Sequence, residues 1–140
     1  MKLCARSLMM VFVCAAILVM APLAAQANKQ ITLDRDTNYW NGGDIPGQFL
    51  CAKGHVVLLY DDDTLREGYI KYGAHFYVKG GTYVNFKEGF MGFHRNGMVR
   101  YGALDGNYYL YDEDGNCNEY RANPNKTIFF NEDGEVTGYY

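Results

Sequence analysis

The amino-acid sequence predicts an all-β protein: an antiparallel meander of short hairpin repeats, arranged as a twisted sheet or a β-solenoid-like stack, in a single small domain. Three observations predict it. All 16 glycines and 21 of the 22 aromatic residues lie after residue 27, a composition that suits short twisted strands and tight turns and suits long helices poorly. Similar stretches recur at 54–60, 81–86, 106–111 and 125–130, each running from a Gly or Asn to an aromatic residue five or six positions on. Finally, Asn96-Gly97, Asp114-Gly115 and Asp133-Gly134 each follow an aromatic-rich run. Such dipeptides favour hairpin turns, whose central residues are expected to need φ > 0.

The chain divides into three parts. Residues 1–27 read as a secretory leader. Lys2 and Arg6 precede an uncharged apolar run from Leu8 to Ala21, Pro22 breaks it, and Ala25-Gln26-Ala27 places small residues ahead of a cleavage expected before Asn28. The alternative is an uncleaved anchor over residues 8–25, which is near the lower limit for a membrane span; Pro22 argues against it. No membrane span is expected after cleavage.

Residues 28–53 read as an irregular N-terminal segment with one short strand at Ile31-Thr32-Leu33. Within it, Tyr39-Trp40-Asn41-Gly42-Gly43 and Ile45-Pro46-Gly47 read as loop. Residues 54–140 hold the degenerate hairpin repeats, whose starts are 19–27 residues apart. A further hairpin joins Phe76-Tyr77-Val78 to Tyr83-Val84 through Lys79-Gly80-Gly81-Thr82. The first unit turns at Asp61-Asp62-Asp63-Thr64, without a glycine.

Side chains alternate faces along a strand. That rule pairs Val84 with Phe86, Tyr109 with Tyr111 and Ile128 with Phe130 on the core face. Tyr83, Tyr108, Leu110 and Phe129 fall on the other face. Tyr83, Tyr108 and Phe129 then occupy equivalent positions and are expected to form a flat aromatic strip. With Tyr139 they are the candidate ligand-binding residues; the alternative reading of these rings is core and cross-strand pairing.

The stretch Ile128-Phe129-Phe130-Asn131-Glu132-Asp133-Gly134-Glu135-Val136-Thr137-Gly138-Tyr139-Tyr140 resembles the cell-wall-binding hairpin repeat of choline- and glucan-binding proteins. Residues 106–115, with Tyr108, Tyr109 and Tyr111, are similar to its first half. Phe93-His94-Arg95-Asn96-Gly97-Met98-Val99-Arg100-Tyr101-Gly102-Ala103-Leu104 resembles MORN-like repeats instead. Together these cover about half the chain after residue 27. Choline sites in the first family cage the ligand with tryptophans, and the single tryptophan here, Trp40, lies outside the repeats. The resemblance therefore implies Tyr or Phe platforms for sugar rings rather than a choline cage.

Charge and cysteine use narrow the function classes. After residue 27 there are 11 bases and 16 acids, a net charge of −5, which disfavours nucleic acid and anionic membranes as partners. Cys51 and Cys117 remain there. In an oxidising compartment they are expected either to bridge, with about 3–5 kcal/mol of chain-entropy stabilisation, or to stay as two buried thiols.

No catalytic constellation is legible. His55, His75 and His94 are isolated, and no metal-ligand spacing occurs. A calcium loop starting at Asp112 would need Gly and Glu where Cys117 and Asn123 stand. Serine is absent after Ser7, which removes Ser-His-Asp hydrolysis. No cofactor or metal is expected, and no enzymatic activity. The sequence thus points to an exported protein, periplasmic or at the cell surface, that binds cell-wall or other glycan. The alternative is a protein-interaction or scaffold module of the envelope.

Overall fold

Hairpin turns set the architecture. The computed structural model describes residues 29–44 and 46–140, so the leader over residues 1–27 and its cleavage point lie outside the described residues. Turns at Tyr60–Thr64, Val78–Thr82, His94–Met98, Asp112–Asn116 and Asn131–Glu135 share one closure. The first N–H donates to the fifth carbonyl and the fourth N–H to the first carbonyl. The fourth residue is left-handed in all five: Asp63 (φ 66), Gly81 (φ 77), Gly97 (φ 86), Gly115 (φ 82) and Gly134 (φ 79).

Asn96, Asp114 and Asp133 do not have positive φ, which corrects the expectation that both turn residues would. One left-handed position closes a three-residue hairpin loop with a bulge, and Asp tolerates it well enough to serve at 63. Short polar side chains pin the turns from inside. Asn131 Oδ1 accepts from the N–H of Asp133 and Glu135, and Asp112 Oδ1 from those of Asp114 and Asn116. These bonds hold the Asp112 carboxyl below the usual carboxylate range. The repeating unit is therefore one hairpin every 16–19 residues, shorter than the 19–27 expected.

Thirteen strands follow: β1 Lys29–Thr32, β2 Thr37–Trp40, β3 Gln48–Cys51, β4 Val56–Leu59, β5 Leu65–Ile70, β6 Ala74–Tyr77, β7 Tyr83–Phe86, β8 Gly89–Phe93, β9 Val99–Gly102, β10 Tyr108–Tyr111, β11 Cys117–Tyr120, β12 Ile128–Phe130 and β13 Val136–Tyr139. A single 3-10 turn, Lys79–Gly81, is the sole helical element among the described residues. The architecture is all-β and antiparallel, as the sequence predicts. One nine-stranded sheet runs β1-β4-β5-β8-β9-β12-β13, with β2–β3 joined to β5 through Cys51 and Ile70. The hairpins β6–β7 and β10–β11 are separate two-stranded sheets.

Alternate hairpins therefore leave the main sheet, and the phase of burial follows. In β4–β5, β8–β9 and β12–β13 the residues flanking the turn are buried: Leu59 and Leu65, Phe93 and Val99, Phe130 and Val136. In β6–β7 and β10–β11 burial moves one position away, to Phe76 and Val84 and to Leu110. A hairpin facing the core from the opposite side must bury its opposite face. Phe76 meets Phe93 at 5.7 Å and Phe86 meets Phe130 at 6.1 Å between ring centroids, closing the two layers. Each such side chain contributes roughly 1.5–3 kcal/mol when fully buried.

This shift overturns one expectation. Tyr109 and Tyr111 were placed in the core, but Tyr109 is 66% exposed while Leu110 is fully buried. β10 is the first strand of its hairpin, so its counterpart is β6 and not β7. The 28–53 segment is also more regular than expected, holding β1, β2 and β3. β2 pairs β3 from Thr37↔Cys51 to Trp40↔Gln48, and the long 41–47 loop hides that hairpin in the sequence. Asn41 holds the loop in place by donating to Gly97 O at 2.7 Å and accepting from the N–H of Gly47.

Of the two expectations for Cys51 and Cys117, neither the bridge nor a pair of buried thiols is found: both thiols are free, and Cys51 alone is buried. Cys51 is buried on β3, while Cys117 is exposed on β11, in a different sheet.

Candidate functional site

Between the β2–β3 and β6–β7 hairpins lies a groove of about 920 Å³. That volume falls within the about 300–1,000 Å³ typical of small-molecule sites. Its apolar floor comes from Phe49, Leu50, Ile70 and Phe76. Phe49 stacks on Phe76 at 5.5 Å and packs tilted against Phe93 at 5.0 Å, which anchors the floor in the core.

Tyrosines form the rim. Tyr77 and Tyr83 are cross-strand partners, their rings edge-to-face at 5.0 Å, and His75 lies 4.8 Å from Tyr83. Tyr72 lies in the turn that joins β5 to β6. The three tyrosines are 78%, 64% and 42% exposed at positions 72, 77 and 83. Tyr77 and Tyr83 point outward because alternation turns Phe76 and Val84 inward. Asn38 on β2 and Gln48 on β3 also line the groove.

Four tyrosine hydroxyls outside the groove are engaged in the fold. Tyr60 donates to Phe93 O, Tyr101 to the Glu67 carboxylate, Tyr108 to Asp105 O and Tyr139 to Arg121 O. Those four hydroxyls hold the fold together. Burial and Glu67 also drive the Tyr101 hydroxyl well above its ordinary pKa. In the groove, the hydroxyls of Tyr77 and Tyr83, the amides of Asn38 and Gln48, and the His75 imidazole make no hydrogen bond to any described residue. The groove therefore offers apolar ring faces beside donors and acceptors that the fold does not use.

No protein family, curated protein or solved structure gives a significant match to this chain. The site must be read from its own chemistry.

Of the four candidate ligand residues, the structure places Tyr83 alone in the groove. Tyr108 is half-buried on β10, where its hydroxyl also accepts from the N–H of Asn85 at 3.0 Å. Phe129 lies on the outer face of the main sheet, 5.8 Å from Tyr101 and 5.9 Å from Tyr140. Tyr139 packs edge-to-face on Tyr120 at 5.7 Å beneath the Lys126 ammonium. Because Tyr83, Tyr108 and Phe129 belong to three different sheets, the expected aromatic strip does not form.

A different aromatic row occupies the outer face of the main sheet. One register line crosses it from Glu67 through Gly92, Tyr101 and Phe129 to Gly138. The Tyr101 and Tyr140 rings lie over Gly92 and Gly138, where a Cβ would collide with them. Next to this row, Tyr69 packs against His55 at 4.3 Å and Phe90 at 5.3 Å.

Sequence reasoning missed Tyr72, Tyr77, His75, Asn38 and Gln48 as site residues. Tyr77 was legible as part of the 76–84 hairpin. The others depend on β2–β3 being a hairpin, and a loop as long as 41–47 leaves no short turn signal. Among the described residues no group of His, Cys, Asp and Glu could hold a metal ion. No helix among them is long and apolar enough to cross a membrane.

Proposed function

We propose that this chain is an exported, non-catalytic β-repeat protein of the cell envelope that binds glycan in the groove between its β2–β3 and β6–β7 hairpins. The observation that carries this reading is the pairing of exposed tyrosine faces with unspent amide and hydroxyl groups. Sugar rings present apolar C–H faces and a fringe of hydroxyls, so they need both kinds of surface at once. Most ligand pockets likewise combine an apolar lining with a few placed polar groups. Export rests on the leader-like residues 1–27. The resemblance of residues 128–140 to glucan-binding repeats points the same way.

The test is retention on isolated peptidoglycan and on an insoluble glucan. Retention that soluble oligosaccharide abolishes, and that Tyr77→Ala or Tyr83→Ala removes without loss of thermal stability, supports the reading. Unchanged retention in both variants overturns the groove as the site.

A second reading, an envelope scaffold or protein-interaction module, draws on the outer sheet face. There Phe90 is 54% exposed beside Tyr69 and His55, and soluble proteins seldom expose such clusters without a partner. Capture of envelope proteins that persists in the Tyr83→Ala variant and is lost in Phe90→Ser would favour it.

A further inference from the structure

Resting on the glycan reading above, we propose that the groove selects an uncharged oligosaccharide about three pyranose rings long. The sequence is 21% charged, yet no Asp, Glu, Lys or Arg is among the described residues that line the groove. One flanking cation is neutralised: the Lys71 ammonium, 5.6 Å from the Tyr72 ring, is paired with the Asp36 carboxylate. That pair also holds the Asp36 carboxyl below its ordinary range.

Charge returns sharply at one end. Beyond Tyr72 lies a second depression of about 410 Å³, lined by Lys87, Glu88 and Asp105. Tyr72 borders both cavities, so the neutral stretch has a defined boundary. A uronate or a free amino sugar seated in it would lose hydration and gain no counter-charge, a costly exchange. Sugar hydroxyls and N-acetyl groups can be met fully by Asn38, Gln48 and the tyrosine hydroxyls.

Length follows from size. A hexose takes the room of roughly six waters, about 180 Å³ at about 30 Å³ for each water. The groove is open to solvent, so part of its volume holds water even when occupied. About five rings would fill it at that size; three leave room for water and match the three tyrosines at its rim.

Matched oligosaccharides test the proposal by titration calorimetry on the full chain. Neutral probes are N-acetylated chitotetraose and cellotetraose; charged probes are deacetylated chitotetraose and tetragalacturonate. At least one neutral tetrasaccharide is expected to bind, with its charged counterpart and its monosaccharide each at least tenfold weaker. Charged probes that bind within threefold of neutral ones overturn the selectivity while leaving the glycan reading in place. A monosaccharide that binds as tightly as the tetrasaccharide overturns the length. Failure of all probes, together with no retention on insoluble glycan, removes the glycan reading itself.

Asn38→Asp sharpens the test, with Gln48→Glu as the second variant should the first fail to fold. Either is expected to raise affinity for deacetylated chitotetraose about tenfold and to weaken the neutral tetrasaccharide. Unchanged affinity for both probes places the sugar elsewhere and overturns the proposal.

Discussion

The hairpins β6–β7 and β10–β11 are the same element used twice. Both leave the main sheet, both close with the same turn bonding, and both bury the residue two before the turn, Phe76 in one and Leu110 in the other. Both also present a cross-strand pair outward beside the turn: Tyr77 with Tyr83, and Tyr111 with Cys117. Their second strands differ. β7 turns Val84 into the core, whereas β11 has Asn118 there, exposed and donating to the Asp112 carboxylate.

Their surroundings differ as well. β6–β7 faces the β2–β3 hairpin across the groove. Tyr111 of β10–β11 spends its ring on Gly80 instead, where an added Cβ would come within 2.7 Å. On the proposed reading, an outward pair beside the turn becomes a binding surface only where a second wall stands opposite it.

The largest effects should come from the shared buried position. Phe76→Ala should cost about 3–5 kcal/mol and Leu110→Ala about 2–5 kcal/mol, read by chemical denaturation. A near-neutral Leu110→Ala would show that β10–β11 is an appendage and that the comparison fails.

Turn substitutions come next. A Cβ at Gly115 meets nothing within 4 Å, whereas one at Gly134 would stand 2.9 Å from Lys79 N. Gly115→Val should therefore cost about 1–2 kcal/mol for its left-handed backbone. Gly134→Val should add an overpacking cost of about 1–3 kcal/mol. Equal losses would mean that the contact between the β6–β7 and β12–β13 turns carries no weight.

Tyrosines give smaller effects that separate structural from binding roles. Tyr108→Ala removes the hydroxyl that bridges Asp105 and Asn85 and should cost about 1–2 kcal/mol. Tyr83→Ala should stay within about 0.5 kcal/mol of wild type and still lose glycan retention. If Tyr83→Ala destabilises as much as Tyr108→Ala, the groove rim is structural.

Cys117 should react at once with a thiol reagent and Cys51 only on unfolding. Burial pushes the Cys51 thiol from 9.0 up to about 12. A raised thiol pKa stabilises the fold fully below pH 9, and that contribution is lost as the pH climbs from 9 toward 12. Wild type should then lose more stability over that interval than Cys51→Ala. Parallel pH profiles would contradict it.

Much of this was legible because it is local. The left-handed glycines at 97, 115 and 134, the 76–84 hairpin, and the alternation that buries Val84 with Phe86 and Ile128 with Phe130 all follow from residues close in sequence. Local pattern failed at β10, where alternation is clear in Tyr108-Tyr109-Leu110-Tyr111 but its phase is not. Three tyrosines around one leucine invite the wrong face to be chosen. It failed again at β2–β3, because Asn41 closes that loop by reaching Gly97, 56 residues away.

By itself, the sequence determined the strand class, the turn positions and the lack of an α-helix among the described residues, since glycine conformations and period-2 alternation act within a few residues. Tertiary structure alone decided which hairpins stay in the main sheet and which cross over it. The turn bonding is the same in both layers, so only contact with the opposing layer selects the face that is buried. It also decided how tyrosine hydroxyls are used: Tyr139 donates to Arg121 O, 18 residues away, and Tyr108 accepts from the N–H of Asn85, 23 residues away. The groove exists for that reason: two hairpins distant from most of each other's contacts are held apart by a floor of Phe49 and Phe76, and no short stretch of sequence encodes that distance.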